Sequence, residues 1–307
     1  MEIGDSRIDV NDLEKATEDV NAVEPENYPR FGRNGYAIGV SKGFEIPNDP
    51  GDITGGYLLE LDYLTRYNED PSGFVTKRGQ AVHIKEPKYA SRAQVEYITA
   101  FFQGFEDAVF AKDGIDPVTG KHYGEFVDMR SLVRKYLMEE VMKNYDGNRS
   151  SLYFYKPADD QSPLAFAGPV WDYDSALGNY ANERNQKVQM PIYFSVCTDS
   201  GTPFYWFPRL YRHGDFYDAM LKVYYAEFVP ALETLLGLRS EPGGALQSIM
   251  QYGEEIEASA AMNFVRWPVL GAKRFMDTGD TFAENVAFLI NFLNARMAFL
   301  SENWVQP

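Results

Sequence analysis

Residues 144–174 read "NYDGNRSSLYFYKPADDQSPLAFAGPVWDYD", and what this stretch forms decides the fold. Two short apolar and aromatic runs, "SLYFYK" (151–156) and "LAFAGPVW" (164–171), flank the turn "PADDQSP". Runs of this kind around a turn rich in Pro and Asp predict a two-stranded hairpin. A hairpin brings its outer ends together. Here the ends carry acids: Asp146 precedes the first strand, and Asp172 and Asp174 follow the second. Alone, Asp146-Gly147-Asn148 is an ordinary turn sequence. Acids at both ends change the reading, because neighbouring carboxylates repel unless a hard cation and phosphate oxygens lie between them.

Upstream of the hairpin the pattern is mostly β. In "GGYLLELDYL" (55–64), Tyr57, Leu59 and Leu61 alternate with Leu58, Glu60 and Asp62, which predicts a strand buried on one face. "GFVTKRGQAVHIKEP" (73–87) predicts a hairpin with strands at 74–76 and 81–85, a turn at Arg78-Gly79 and a stop at Pro87. A short strand is expected at "YAIGV" (36–40), and a short helix capped by Asn11 or Asp12 within the opening "MEIGDSRIDVNDLEKA". From residue 91 the period changes. Val95, Ile98, Phe102, Phe105 and Val109 recur at helical spacing behind Ser91 as N-cap, and a second helix over 128–144 starts at Asp128. Beyond residue 200, helices are expected over 215–237, 241–262 and 281–302. The order is a β-rich start, two helices, an acid-tipped hairpin and a helical tail. That is an α+β chain, not a doubly wound parallel sheet.

Composition narrows the function. The 307 residues carry a formal net charge of -16, which disfavours binding to polyanionic nucleic acid. The single cysteine, Cys197, excludes an intrachain disulfide framework and a cysteine-based zinc site. No stretch approaches the ~20 apolar residues of a membrane span. The longest candidate, "FAENVAFLINFLNARMAFL", is interrupted by Glu284, Asn285, Asn291, Asn294 and Arg296 and reads as a buried amphipathic helix. The first residues are polar and acidic, unlike a signal peptide.

Other motifs are sparse. His83, His122 and His213 are scattered without metal-ligand spacing, and G-x-G-x-x-G, Walker and G-x-S-x-G sequences are absent. Lys85 closes the apolar strand in "AVHIKEPK". It reads either as a solvated strand end or as a lysine reaching nucleotide phosphates, as in protein kinases, where a helix glutamate partners it. Glu96 and Glu106 on the following helix are both candidates for that partner.

Taken together, "ITGGYLLELD" (53–62), "FVTKRGQAVHIKEP" (74–87), "NYDGNRSSLYFYK" (144–156) and "GPVWDYDSALGN" (168–179) resemble the CotH (spore coat protein H) kinase-like family. "FVDMRSLVRKYLMEEVMKN", "SAAMNFVRW" (259–267) and "FLNARMAFLSENW" are similar to its helices, so the resemblance runs over nearly the whole chain. It implies an atypical protein-kinase-like fold, with a β-rich partial N-lobe at 1–90 and a mainly helical C-lobe at 91–307 carrying the catalytic hairpin. It further implies phosphorylation of protein Ser or Thr with ATP and Mg²⁺. Asp146 would be catalytic, and Lys85 would contact phosphate. Asp172 would hold the metal, with Asp174 and Asn148 as further ligands. Family habit also implies a secreted, cell-surface or spore-surface setting in a bacterium. The opening residues resemble the middle of the family domain, so strands that normally precede them are expected to be missing. Ser151 occupies the position where conventional kinases carry an Asn ligand.

Two other readings compete. One is a catalytically silent kinase-like module serving binding or assembly at a cell or spore surface. The other is a glycosidase, suggested by the aromatic content and paired acids. Glycosidases bring their acids together from separate strands, whereas Asp172 and Asp174 come from one segment.

Overall fold

Alternation along the strands organises the first half of the chain, because successive side chains point to opposite faces of a sheet. The computed structural model describes residues 11–32, 37–144, 150–179, 206–240, 243–271 and 279–305. Among these residues lies one seven-stranded sheet, antiparallel at every strand pairing. The strands are β1 (Arg30–Phe31), β2 (Ser41–Phe44), β3 (Tyr57–Leu61), β4 (Gly73–Val75), β5 (Ala81–Glu86), β6 (Leu152–Lys156) and β7 (Phe166–Ala167). Their order is β1-β2-β4-β5-β3-β6-β7. The acid-tipped hairpin is thus β6–β7, and β6 pairs with β3 from Tyr57↔Lys156 to Leu61↔Leu152. With helices accompanying this sheet, the chain is α+β, as its sequence pattern predicts.

The chain divides into two compact units. The first takes residues Met1–Lys135, Gly147–Asp172 and Cys197–Phe216 and holds the whole sheet. Its helices include α1 (Leu13–Asp19), capped by Asp12, and α2 (Arg92–Phe110), which opens on a reciprocal capping box between Ser91 and Gln94. Helix α3 (Met129–Met142) begins in this unit, with Asp128 accepting from the Ser131 N–H at 2.7 Å. The short α4 (Trp206–Leu210) supplies Trp206 to the core. Phe102 of α2 meets Phe154 of β6 with ring centroids 5.7 Å apart, and Trp206 packs on both. The sheet face bearing Phe154 is therefore apolar and covered by α2.

The opposite face carries a polar row beside a small apolar cluster of Tyr67, Val75 and Ala81. The register aligns Lys42, Gly73, His83, Glu60 and Tyr153 in one row across β2, β4, β5, β3 and β6. The sequence predicts β3 exposed on one side, yet all five of its residues are buried, and Glu60 is 9% exposed. Two causes combine: β3 has a strand on each side, and Glu60 has a cationic partner.

Two further expectations shift. The strand expected at 36–40 forms over Ser41–Phe44 instead, because Gly39 adopts φ 75 in a turn and its N–H bonds to Val75. The helix expected at 241–262 starts only at Ile249. Gly243 takes φ 75, and Ser248 caps the helix in a box with Gln251.

The second unit takes residues Tyr136–Asp146, Tyr173–Val196 and Tyr217–Pro307. It receives the end of α3 and most of α5 (Gly214–Val223), which continues through a π turn, Tyr224–Phe228, into α6 (Val229–Leu235). Pro230 lacks the N–H that would close an ordinary helical bond here. Helices α7 (Ile249–Arg266) and α8 (Phe282–Asn303) also belong to it. Tyr224 stacks edge-on against Trp304 at 4.9 Å. Arg296, read from sequence as a polar interruption of α8, is on its buried face. Its guanidinium donates to the Glu140 carboxylate and to the Glu140 carbonyl, both at 2.8 Å.

Candidate functional site

Lys85 sits where β5 breaks register. Leu59 faces Ile84 and Leu58 faces Glu86, so Lys85 is the extra residue of a β-bulge. Bulges re-aim a side chain out of the ladder. The Lys85 ammonium lies 3.2 Å from the Glu60 carboxylate and 3.0 Å from that of Asp70. Burial pulls the Lys85 amine down, and Asp70 and Glu60 outweigh it, leaving the group above the ordinary lysine range. Asp70 is the mirror case. Burial raises its carboxyl, while His83 and Lys85 hold it below the usual carboxylate range. Burial, with Glu60 and Asp70 nearby, also pushes the Tyr153 phenol up.

Neither helix glutamate expected to partner Lys85 does so. Glu106 is buried and accepts from Thr76 at 2.7 Å, from the Trp206 indole at 3.1 Å, from Gln103 at 3.1 Å and from Arg78 at 3.3 Å. It fastens α2 and α4 to the turn that precedes β5. Glu96 is exposed on α2, near Arg92. The acids that meet Lys85 come instead from β3 and from the β3–β4 connection. The alternation in "LLELD" and "AVHIK" carries the signal for Glu60, His83 and Lys85. Asp70 lies in a loop and has none.

At the far end of the hairpin, Asp172 is exposed, and its carboxylate accepts from the Ser151 hydroxyl at 3.3 Å. Both residues adopt left-handed backbone, with φ 62 at Asp172 and φ 59 at Ser151. Non-glycine residues held there store about 1 kcal/mol or more, and such positions cluster at functional sites. Ser151 comes two residues before Tyr153, just ahead of β6, about 7 Å along the chain from the row that contains Glu60. Lys85, Glu60, Tyr153, Ser151 and Asp172 all belong to the first unit.

Asp174 falls in the second unit, exposed beside a shallow pocket lined by Tyr173, Leu177, Asn285, Phe288 and Leu289. The Tyr173 hydroxyl donates to the buried Glu139 at 2.6 Å. Burial and the nearby Arg296 guanidinium push the Lys143 amine down to about 7. Asp146 and Asn148, the expected catalytic aspartate and accessory ligand, lie outside the described residues.

The donor set at the hairpin mouth is all oxygen: the Asp172 carboxylate and the Ser151 hydroxyl. That suits a hard cation such as Mg²⁺ better than a soft metal. Among the described residues no group of three or more His, Cys, Asp or Glu side chains is gathered for a metal ion. No helix among them is long and apolar enough to cross a membrane.

A comparison with curated proteins returns no match. A family model, described as CotH kinase protein, matches residues 40–300. That span takes in the bulged lysine with its two acids and the hairpin with its strained ends, and it shows that the chain belongs to the CotH kinase family.

Proposed function

We propose that the chain transfers the γ-phosphoryl group of ATP to Ser or Thr of a protein substrate. The observation that carries this reading is the shared sheet. Lys85 on β5 and the hairpin that ends at Asp172 are joined through β3, with the Glu60–Tyr153 row between them. Phosphoryl transfer asks a protein mainly for positioning and for charge opposite the phosphates. The Lys85 ammonium supplies charge for the nucleotide phosphates. Asp172, with the Ser151 hydroxyl beside it, would hold Mg²⁺, and Asp174 and Asn148 are the accessory ligands of this proposal. Mg²⁺ bound there would offset charge on the nucleotide phosphates. Asp146 orients the acceptor hydroxyl and takes up its proton. The surface or secreted setting of the substrate follows family habit and is part of the same proposal.

The test is nucleotide-dependent thermal stabilisation. A ligand that binds only the folded chain at a hundred times its Kd adds about 2.7 kcal/mol. Mg²⁺ with ATP should raise Tm in the parent. Asp172→Asn should lose that rise while keeping its own Tm in buffer, since Asn tolerates left-handed backbone nearly as Asp does. Equal stabilisation of parent and variant would remove Asp172 from the site. No stabilisation of the parent by millimolar ATP would favour the catalytically silent module.

A further inference from the structure

Asp70 lies on the connection between β3 and β4, which folds back over the polar face of the sheet. Its carboxylate accepts from His83 Nδ1 at 2.8 Å and from Lys85 Nζ at 3.0 and 3.1 Å. Its backbone is fixed separately. The Lys42 ammonium donates to the carbonyls of Tyr67 and Asp70 and lies over the Tyr67 ring at 4.3 Å from its centroid. His83 is 1% exposed, and its Nε2 has no hydrogen-bond partner among the described residues. A ring so placed keeps its proton on Nδ1, where the carboxylate accepts it. Asp70 is therefore held by a buried histidine through its side chain and by a buried lysine through its main chain. Lys85, as the extra residue of a bulge, needs such a brace, because the ladder does not set its direction. Glu60 adds a single contact at 3.2 Å.

We infer that Asp70, fixed by His83, is the positioning residue that aims the Lys85 ammonium at the nucleotide phosphates, in the place a helix glutamate fills in conventional kinases. The inference rests on the phosphoryl-transfer reading of the site. It opposes a second picture, in which the Asp70 carboxylate occupies the phosphate seat and blocks it. The two differ in sign. A brace lost weakens nucleotide binding, and a block lost strengthens it.

The experiment uses the full chain and compares the parent, Asp70→Asn, Asp70→Glu and, as a control, Asp107→Asn. Asp107 pairs with Arg78 at 2.5 Å and with Lys77 at 3.6 Å, away from Lys85. The first readout is the rate at which Lys85 is acetylated by acetic anhydride between pH 7 and 11, read by mass spectrometry. The groups that face Lys85 are Glu60 of β3, Asp70 of the connection, and His83 of its own strand, with Tyr153 of β6 near both acids. Asp70→Asn should raise Lys85 reactivity about tenfold, the worth of one charged hydrogen-bond pair, and move its titration to lower pH. Asp107→Asn should not. The second readout is the ATP dependence of transfer. Asp70→Asn should raise the KM for ATP about tenfold with a smaller change in kcat, and Asp70→Glu should recover part of it. Unchanged Lys85 reactivity in Asp70→Asn, or an unchanged or lower KM, overturns the inference. A parent without any ATP-dependent signal overturns the reading of the site itself, and the acetylation readout, which needs no nucleotide, tells that failure from the other.

Discussion

At the scale of the residue, the polar face of the sheet turns on one carboxylate with two nitrogen partners. Asp70 accepts from His83 and from Lys85, and these outweigh the burial that raises its carboxyl, leaving it below the usual range. A group whose folded value is depressed stabilises the fold above its unfolded value, about pH 4, and loses that contribution as pH falls through the folded value. Asp70→Asn should therefore melt below the parent at pH 7, and the gap should close as pH falls under about 4. A gap in Tm that stays constant from pH 7 to pH 3 would contradict the assignment. Lys85 has the opposite sign. Its raised amine stabilises below the ordinary lysine range and loses that contribution as pH rises through the folded value. Ser151 and Asp172 show a different residue-scale property, strained backbone at the two ends of one hairpin, joined by a hydrogen bond of 3.3 Å.

At the scale of the element, much of the chain was legible, for identifiable reasons. Helix α2 combines apolar residues at helical spacing with a Ser91–Gln94 capping box, so its start and its buried face are both written locally. Ser91→Ala removes the cap and the bond to Asp49. It should cost about 1–2 kcal/mol in urea unfolding, with Ser91→Thr recovering most of that. A loss within experimental error would mean that tertiary packing alone sets the start of α2. The β4–β5 and β6–β7 hairpins were legible because turn residues separate alternating runs. What was not legible is lateral. The pairing of β6 with β3, which buries Glu60 and brings the hairpin into the sheet of Lys85, joins segments far apart in sequence. The bulge at Lys85 and the reach of Asp70 over the sheet are likewise tertiary. Glu96 and Glu106 both stayed open as partners of Lys85 for the same reason, and the structure commits Glu106 to Thr76 and the Trp206 indole.

At the scale of the molecule, the chain divides into two compact units: the sheet unit holds Lys85 and Asp172, and the helical unit holds the end of α3. In the helical unit the buried Arg296–Glu140 pair ties α8 to the last turn of α3. Removing one partner of such a pair leaves the other charge buried and costs about 3–5 kcal/mol. Arg296→Met should therefore lower stability by that order and speed hydrogen exchange in 282–303 and 136–142 first. Adding Glu140→Gln should recover a large share. Exchange that accelerates evenly over the whole chain would argue against a local role. Phosphoryl transfer itself is read from its product. Incorporation of labelled γ-phosphate from ATP with Mg²⁺, into the chain itself or into an acidic acceptor such as casein, should be found for the parent and lost in Asp146→Ala, while that variant keeps its nucleotide-dependent rise in Tm. Incorporation by Asp146→Ala at the parent rate, or none by the parent at millimolar ATP, would contradict it.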